Sequence, residues 1–417
     1  MVLINNPSDL MMKADTDDIE ELTITHTLHP YLAKLAQCQS SKQLRSNKLY
    51  QRLQPEIERV LESMEYRRLP ANGLAAKSFY RAVAWNIERG ICFDDILTVL
   101  QNHEILNKAD LLLLTETDLG MARSQNRNVA RELAFALAMN YYFLPSYINL
   151  CKGSGIESDF TGENGLALHG NAILSRYPIS DLQRIPLRNA KDKMCGKEKR
   201  LGNQQVLAAT IQFPQQPLRA VCIHLDALSS QLQRQQQMNS ILAHLQAPAG
   251  QPVLLAGDWN TSTYNSRTAL LAICGFWYRV LMGVGNVITN HYPYPERYFE
   301  AGLFRYLKQS GFDYENCNEL GVGTNHYHTK DFKRYKNLSD WVPQWCFAFI
   351  EWALRPYGGS CSLKLDWFAT RDLRVVNKAD QFCHNGVTAM APKVIHGLNQ
   401  DGKELSDHDP IVIDFTL

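Results

Sequence analysis

Apolar residues follow a helical spacing in the first part of the chain. Between Leu49 and Met64 they recur every three or four positions with charged residues between them, which predicts an amphipathic helix. We expect this helix to end near Pro70 and Gly73, in the sequence LPANG. The segment has little strand pattern, so residues 1–78 are predicted to be a helical extension that packs on the main body.

From Ser78 onward, short apolar or β-branched runs alternate with turn signals, as is typical of buried strands covered by helices. The predicted strands are 79–87, 111–115, 171–175, 206–213, 219–225, 253–256, 363–370 and 411–415. The predicted helices between them are 93–102, 129–139 and 231–244. This alternation predicts an α/β body of sheets with outer helices.

Residues 264–360 have a third pattern, rich in Trp, Tyr and Phe with glycine breaks and little alternation. The segment is too long for one structureless loop in a compact domain. We therefore expect helices within it, at 297–310 and 342–354. The predicted organisation is an extension (1–78) and one main domain (79–417) that contains this aromatic insert.

The composition is that of a globular protein, with 45% hydrophobic and 20% charged residues. Lys and Arg number 43 and Asp and Glu 42, and this balance disfavours a protein that coats a polyanion. No run approaches the roughly 18 apolar residues of a membrane span, and no signal peptide is evident. The ten cysteines stand singly. We expect a cytoplasmic protein with reduced thiols, no transmembrane segment and no obligate protein partner.

Six short segments place polar side chains at the ends of predicted strands, where ligand sites form in layered α/β folds. They are AWNIERG (84–90), LLTETD (113–118), CIHLDA (222–227), LLAGDWNTST (254–263), KLDWFAT (364–370) and LSDHDP (405–410). Their candidate functional residues are Asn86, Glu88, Glu116, His224, Asp258, Asn260, Asp366, Asp407 and His408.

These residues offer hard oxygen ligands without a thiolate or a three-histidine cluster, which favours Mg²⁺ or Mn²⁺ over zinc. Two histidines and further carboxylates remain for proton transfer and for neutralising a phosphoryl group. The set indicates metal-assisted hydrolysis of a phosphate ester. Each segment alone also fits a cap or a turn. The chemical interpretation depends on finding all six together.

The ordered segments resemble the motifs of the endonuclease/exonuclease/phosphatase superfamily, over roughly residues 78–417. The matching motifs are WNIERG, LLTETD, HGNAILSRYPI, IHLDA, GDWN, LDWFA and SDHDP. The resemblance implies a four-layer α/β sandwich, in which two packed mixed sheets are flanked by helices, and a catalytic domain at 79–417. Two features depart from the family pattern: TETD stands where "QE" is usual, and Asn260 and Asp366 are unusually far apart in the chain.

The resemblance also implies a metal site. Glu116 would be the principal ligand, Asn86 and Asp407 would lie beside it, and Glu88 would lie near the metal. The implied cofactor is Mg²⁺, with Mn²⁺ as the alternative.

The catalytic groups implied by the resemblance come from the other motifs. Asp258 would orient or deprotonate the attacking water, and Asn260 would hold the phosphate. His408 would contact a phosphoryl oxygen while Asp366 keeps it oriented and cationic, since a neighbouring carboxylate raises a histidine pKa. His224 would be the second phosphate-facing histidine, as general acid or electrostatic stabiliser.

Three segments bear on the substrate. Arg200, in KEKRLGN, stands where some family members have a phosphate-binding arginine. The segment 325–337 (NHYHTKDFKRYKN) interleaves aromatic residues with bases such as Lys333 and Arg334, which suits either nucleic-acid binding or a solvated loop. The Trp-rich segment 341–354 suits either a packed helix or a membrane interface.

The sequence thus predicts a Mg²⁺-dependent hydrolase that acts on a phosphodiester, with nucleic acid favoured slightly as substrate. The alternatives are a phospholipid or sphingomyelin-type phosphodiesterase and an inositol-phosphate-type phosphomonoesterase. An inactive binding scaffold is a fourth hypothesis. The presence of the whole residue set argues against it, because an inactive copy would be expected to have lost at least one member.

Overall fold

Two β-sheets packed face to face form the centre of the protein. The computed structural model describes residues 19–70, 75–328 and 344–417. Its strands are β1 (Glu20–Leu22), β2 (Glu65–Arg68), β3 (Tyr80–Arg89), β4 (Leu111–Leu119), β5 (Asn140–Asn149), β6 (Leu168–Ser175), β7 (Ile179–Pro186), β8 (Arg200–Gly202), β9 (Gln205–Gln212), β10 (Pro217–Cys222), β11 (Val253–Asp258), β12 (Asn325–His328), β13 (Ser360–Leu363), β14 (Asp366–Arg371), β15 (Arg374–Val375), β16 (Cys383–His384), β17 (Val387–Thr388), β18 (Lys393–Val394), β19 (Asn399–Gln400), β20 (Lys403–Glu404) and β21 (Ile411–Thr416).

Helices cover the outer faces of the sheets. They are α1 (His29–Leu35), α2 (Ser41–Arg45), α3 (Lys48–Glu62), α4 (Phe93–Asn102), α5 (Val129–Leu137), α6 (Gln231–His244), α7 (Ala269–Leu281), α8 (Val284–Asn286), α9 (Ala301–Gln309) and α10 (Gln344–Leu354). A π-helical turn, Val287–His291, follows α8 directly.

Both sheets are mixed. The larger has the order β1-β2-β5-β6-β4-β3-β21-β15, with β8 paired to β5 and β18 to β21. The smaller has the order β14-β11-β10-β9-β7. The pair β3–β4 and the pair β10–β11 are parallel. Strands β21 and β14 run antiparallel to β3 and β11. These directions decide which strand ends meet.

Alternation along β3 explains its continuous apolar sequence. Tyr80, Ala82 and Ala84 pack into the core between the two sheets. Val83 and Trp85 belong to the core beneath the helices on the opposite face. Because successive side chains point to opposite faces, a strand buried on both sides needs apolar residues throughout. A third core lies under α6 and α9 on the smaller sheet. The predicted four-layer α/β sandwich is confirmed.

The N-terminal segment is not purely helical. Helix α3 forms on the predicted apolar spacing but ends at Glu62, so the prediction that it continues to Pro70 is wrong. The chain instead forms β2, which pairs with β5 in the larger sheet. The Glu65 carboxylate accepts hydrogen bonds from the Tyr141 hydroxyl (2.9 Å) and the Ile24 amide (3.0 Å). Tertiary pairing has overridden a weak local pattern.

The aromatic insert carries α7 to α10 and the ribbon of β12 and β13. The helices predicted at 297–310 and 342–354 are present as the shorter α9 and α10. In the part of the chain that is described, no single helix has the length and apolarity to cross a bilayer. The segments Leu270–Leu281 and Val284–His291, bent by 104°, pass that test of length and composition only as a pair.

Candidate active site

Strand direction brings the polar segments of the larger sheet to one end of it. Strands β3 and β4 are parallel, so Asn86 and Glu116 near their C-terminal ends lie on the same side. Strand β21 is antiparallel to β3, with Ile411 opposite Ala84, so the chain that precedes β21 reaches the same end. Asp407 and His408 lie in that chain. The antiparallel return makes neighbours of residues more than 300 positions apart in sequence.

The smaller sheet repeats this arrangement. Strands β10 and β11 are parallel, and His224 follows β10 while Asp258 ends β11. Asp366 begins the antiparallel strand β14 and is directly paired with Asp258. The two packed sheets therefore present their polar strand ends together.

Three candidate residues have backbones in the left-handed region: Glu88 (φ 43°), Glu116 (φ 54°) and Asn260 (φ 50°). The β3–β4 pairing shifts register between Asn86 and Arg89, and the β4–β6 pairing shifts between Leu114 and Thr117. A non-glycine residue in this region costs of order 1–3 kcal/mol and persists only where the surroundings impose it. Both bulges re-aim acidic side chains at the end of the sheet.

Asn86 links the two sheets through its side chain. Its Nδ2 donates to Asp258 Oδ2 (3.0 Å), and its Oδ1 accepts from the Glu88 amide (3.1 Å). The Ser406 hydroxyl donates to the Asn86 carbonyl (2.7 Å). Asn86 is thus fixed by neighbours from three of the motifs.

Glu116 lies beside a guanidinium and an imidazole. Arg89 Nη1 is 3.2 Å from Glu116 Oε2, and His224 Nε2 is 3.9 Å from Oε1. Burial raises the pKa of Glu116, but the charges of Arg89 and the histidines outweigh it and hold the pKa well below its usual value. Arg89 also pairs with Glu157 (2.9 Å), which in turn pairs with the buried Arg123 (3.0 Å). Glu116 is therefore ionised, and its partner Arg89 is held in place by Glu157.

Glu88 and Asp407 repel each other. Burial and the nearby Asp407 raise the pKa of Glu88 to about 8. Burial also raises the pKa of Asp407, although His408 opposes this, and Glu116 raises it further. The charges of Asp407 and Glu116 thus act on Glu88, and the charge of Glu116 acts on Asp407, while Arg89 offsets part of the repulsion. This donor set fits a hard divalent cation, which would relieve the repulsion.

Asp258, Asp366 and His408 form a buried triad whose ligand atoms lie within 4.8 Å of one another. His408 Nδ1 donates to Asp366 Oδ2 (2.7 Å), and His408 Nε2 lies 3.9 Å from Asp258 Oδ2. Burial opposes the imidazolium, but Asp366 and the other carboxylates raise the pKa of His408 well above its usual value. His408 is therefore a cation with one nitrogen anchored and the other facing Asp258.

Asp258 is surrounded by hydrogen-bond donors. Asn260 donates to it through its amide N–H (2.8 Å) and through Nδ2 (3.2 Å), and Asn260 Nδ2 also donates to the Leu225 carbonyl (3.0 Å). Burial raises the pKa of Asp258 to about 7, with His408 opposing this and Asp366 adding to it. A carboxyl group with such a pKa can accept a proton near neutral pH.

His224 lies between the sheets, with Nε2 3.6 Å from Asp258 Oδ2. Burial lowers the pKa of His224 to about 4, although Glu116 opposes this. An uncharged imidazole at neutral pH is suited to donate a hydrogen bond. Of the two histidines near Asp258, His408 is the positively charged one.

Of the three predicted substrate-binding residues, the structure describes only Arg200. Arg200 begins β8 and forms an ion pair with Glu198, and its guanidinium lies over the Tyr147 ring at 5.3 Å. Its charge is one of those that lower the pKa of His224, after burial as the main cause. Lys333 and Arg334 lie outside the described residues.

Three further residues contact the site without having been predicted. Trp85 Nε1 donates to the His408 carbonyl (2.8 Å), and Arg89 holds Glu116. Thr324 Oγ1 donates to Asp366 Oδ2 (2.7 Å) and accepts from the Asp366 amide (3.0 Å). Trp85 and Arg89 lie within the motif AWNIERG, which could have drawn attention to them. Thr324 lies in the insert, where the sequence gives no signal.

A model of the Endonuclease/Exonuclease/phosphatase family matches residues 83–408 of this chain. The Uncharacterized protein YbhP of Escherichia coli (strain K12) is 31% identical over 133 residues, which are 31% of this chain and 46% of that protein. The chain therefore spans less than half the length of this curated relative.

Solved structures with similar folds include two proteins that the chain covers fully. An AP endonuclease from Archaeoglobus fulgidus aligns over 81% of this chain and 100% of its own, with 13% identity and a TM-score of 0.45. An endonuclease/exonuclease/phosphatase family protein from Leptotrichia buccalis C-1013-b aligns over 81% and 100%, with 14% identity and a TM-score of 0.43.

Proposed function

Because this chain belongs to the endonuclease/exonuclease/phosphatase family, whose members are hydrolases acting on phosphate esters, we propose that it hydrolyses a phosphodiester with the help of a divalent cation. The observation that carries this proposal is the arrangement at the meeting strand ends. An anchored imidazolium, a carboxyl group that titrates near neutrality and a group of mutually repelling carboxylates face one another there.

The proposed cation site consists of Glu116, Asn86, Asp407 and Glu88, and Mg²⁺ is its proposed occupant, with Mn²⁺ as the alternative. Such an ion would polarise a phosphoryl oxygen and neutralise developing charge. Glu116 is the proposed principal ligand because it is ionised, whereas Glu88 must first lose a proton.

The remaining residues would divide the chemistry among them. Asp258 orients the attacking water and accepts its proton, and the Asn260 side chain holds the phosphate. The His408 imidazolium, anchored by Asp366, stabilises negative charge on a phosphoryl oxygen. His224 donates a hydrogen bond to a second oxygen. Water would add to phosphorus as Asp258 takes its proton, and the bond from phosphorus to the leaving-group oxygen would break. Asp258 would then lose that proton to the departing oxygen or to solvent and regain its carboxylate form for another cycle.

Nucleic acid as the substrate stays a prediction. It depends on the basic segment that contains Lys333 and Arg334, which lies outside the described residues. A second group of bases lies in the loop 191–200. In that loop, Lys193 pairs with Asp226 (2.8 Å), and Lys199 Nζ donates to the carbonyls of residues 36 (2.6 Å) and 38 (2.9 Å). These bases serve internal contacts.

The test is Asp258→Asn, assayed on bis(4-nitrophenyl) phosphate with Mg²⁺ or Mn²⁺. Loss of the proton acceptor should lower kcat by about 10²–10⁴-fold while the melting temperature changes little. Asp401→Asn is the matched control, because Asp401 is an exposed turn residue whose positive φ suits asparagine. Wild-type turnover by Asp258→Asn would show that the motif assignment is wrong.

A further inference from the structure

An apolar cavity of about 400 Å³ lies between the aromatic insert and the loops that follow β10 and β11. Its walls are mainly aliphatic and aromatic side chains of α7, α8, the π-helical turn and α10, such as Ile273, Phe276, Val287 and Leu354. The volume lies within the range of roughly 300–1,000 Å³ found for small-molecule sites. The exposed surface of its walls is mostly apolar, so an apolar group gains free energy by leaving water for this cavity.

The cavity adjoins the candidate active site. Asn260 lines it and also donates hydrogen bonds to Asp258. Leu365, another lining residue, immediately precedes Asp366. Tyr327 lines it from β12, whose Asn325 Nδ2 donates to the Asp407 carbonyl (3.0 Å). A molecule that fills the cavity can therefore extend to the groups proposed to hold the phosphate.

The charge of the cavity does not suit a nucleic-acid backbone. Among its described lining residues, Arg279 is the one with a charged side chain. Its guanidinium donates to the Gly275 carbonyl (2.8 Å) and to Thr263 Oγ1 (3.0 Å), and it lies over the Tyr264 ring at 3.8 Å. A polynucleotide leaving the site on this side would need cations for its phosphates. An uncharged hydrocarbon chain needs none.

The same helices expose large apolar side chains on the protein surface. Leu270 and Leu281 of α7 are 70% and 85% exposed, and Trp352 of α10 is 61% exposed. Large apolar side chains exposed to this degree are found on surfaces that contact lipid or another apolar phase. They lie on the elements that form the cavity, as expected if an apolar substrate is taken from a lipid aggregate.

We propose that the insert is a binding site for a hydrocarbon chain, and that the substrate is a lipid phosphodiester whose chain occupies the cavity while its phosphate lies at Asn260. This inference rests on the proposed function and names the substrate class for it. It selects the lipid hypothesis over the nucleic-acid hypothesis.

The experiment measures kcat/KM for a series of monodisperse 4-nitrophenyl alkyl phosphates, from methyl to dodecyl, each below its critical micelle concentration and with Mn²⁺ present. In every member water adds to phosphorus, the bond to the aryl oxygen breaks, and 4-nitrophenolate and an alkyl phosphate are released. The leaving group is constant, so differences report the alkyl chain. The nucleoside ester 4-nitrophenyl thymidine 5′-phosphate has the same leaving group and tests the nucleic-acid hypothesis.

We expect kcat/KM to rise with chain length by about fourfold per methylene until the cavity is filled. Ala353→Phe and Ala272→Phe place a ring in the cavity from two different helices, so that one of them is informative if the other does not fold. Each should lower the ratio of dodecyl to methyl turnover at least tenfold. Glu351→Phe adds the same ring at an exposed position of α10 and should leave that ratio unchanged.

Measurable turnover that is independent of chain length, or a thymidine ester preferred over the dodecyl ester, would overturn the lipid assignment and leave phosphodiester hydrolysis standing. Equal ratios in the wild type and both cavity variants would overturn the assignment of the cavity. Absence of metal-supported turnover of every ester would overturn the proposed function and this inference together.

Discussion

At the scale of single residues, the candidate site depends on contacts that hold charged groups in place. His408 can act as a fixed cation only while its Nδ1–H donates a hydrogen bond to Asp366. Asp366 is itself held by the Thr324 hydroxyl, which contacts both its carboxylate and its amide. Thr324 is fully buried and lies in the insert. The insert therefore helps to position the proposed catalytic groups.

Thr324→Val should lower kcat by about 10–100-fold, because the isosteric side chain can neither donate to Asp366 Oδ2 nor accept from its amide. Thr324→Ser retains the hydroxyl and should recover most of the activity. Steady-state kinetics of both variants on the same phosphodiester check this. Equal activity of the valine and serine variants would show that the hydroxyl does not position Asp366.

The sequence indicates the residues that carry chemistry more readily than those that position them. Asp258 and His408 lie in motifs whose residue types and order suggest their function. Thr324 has no such signal, because its role arises only when the insert folds back over β14. Arg89 does have a sequence signal, because it follows Glu88 in a motif. Its pairing with Glu116, however, depends on a register shift in β3 that the alternation of apolar and polar residues does not predict.

At the scale of secondary-structure elements, the last two residues of β11 place Asp258. Gly257 has φ +130°, and a Cβ at this position would meet the Ile223 carbonyl oxygen of the neighbouring chain segment. Only glycine allows this close approach between β11 and the chain that follows β10. The spacing of Asp258 and His224 follows from it.

Gly257→Ala should destabilise the protein by about 1–3 kcal/mol and lower activity, because both backbone strain and the clash displace Asp258. Gly250→Ala is the matched control: Gly250 also has a positive φ (78°), but a Cβ there meets nothing within 4 Å. Thermal unfolding and kinetics of both variants separate the clash from the strain. Identical behaviour of the two variants would contradict this account.

The hydrophobic pattern predicts the strands that are continuous apolar runs and the helices whose apolar residues recur at a regular spacing. Seven of the eight predicted strands each overlap one observed strand, and the bounds of α4 and α6 match the predicted ranges. The predicted strand 363–370 is interrupted, because β13 ends at Leu363 and β14 begins at Asp366. The pattern does not predict β5, although this strand is fully buried, because its sequence NYYFLPSYIN mixes polar residues and a proline into the run. Its polar side chains find partners only in the folded protein, for example Asn140 with the carbonyls of residues 175 and 177 (both 3.1 Å).

At the scale of the whole molecule, the N-terminal segment completes the larger sheet. Strand β2 covers the edge of β5, and Leu28, Leu32 and Leu35 of the first helical region are buried in the core under the helices. An exposed, hydrophobic sheet edge promotes aggregation. The boundary at residue 78 stays a prediction of domain organisation, and these contacts indicate that the two parts fold together.

A truncated protein that begins at residue 79 should therefore be aggregated or cooperatively unfolded at temperatures where the full chain is folded, because it lacks β2 and the Glu65 contacts with Tyr141. Size-exclusion chromatography and thermal unfolding measure this. A monodisperse truncated protein with the full-length melting temperature and kcat would show that residues 79–417 fold independently.

The near balance of 43 basic and 42 acidic residues is consistent with a site whose attraction for phosphate is local. The most direct test of the central claim is a metal titration of the full-length protein. After treatment with EDTA, the protein should have no turnover of bis(4-nitrophenyl) phosphate, and stoichiometric to excess Mg²⁺ or Mn²⁺ should restore it in the wild type but not in Glu116→Gln. Turnover that persists without a divalent cation, or that returns equally in Glu116→Gln, would contradict the account.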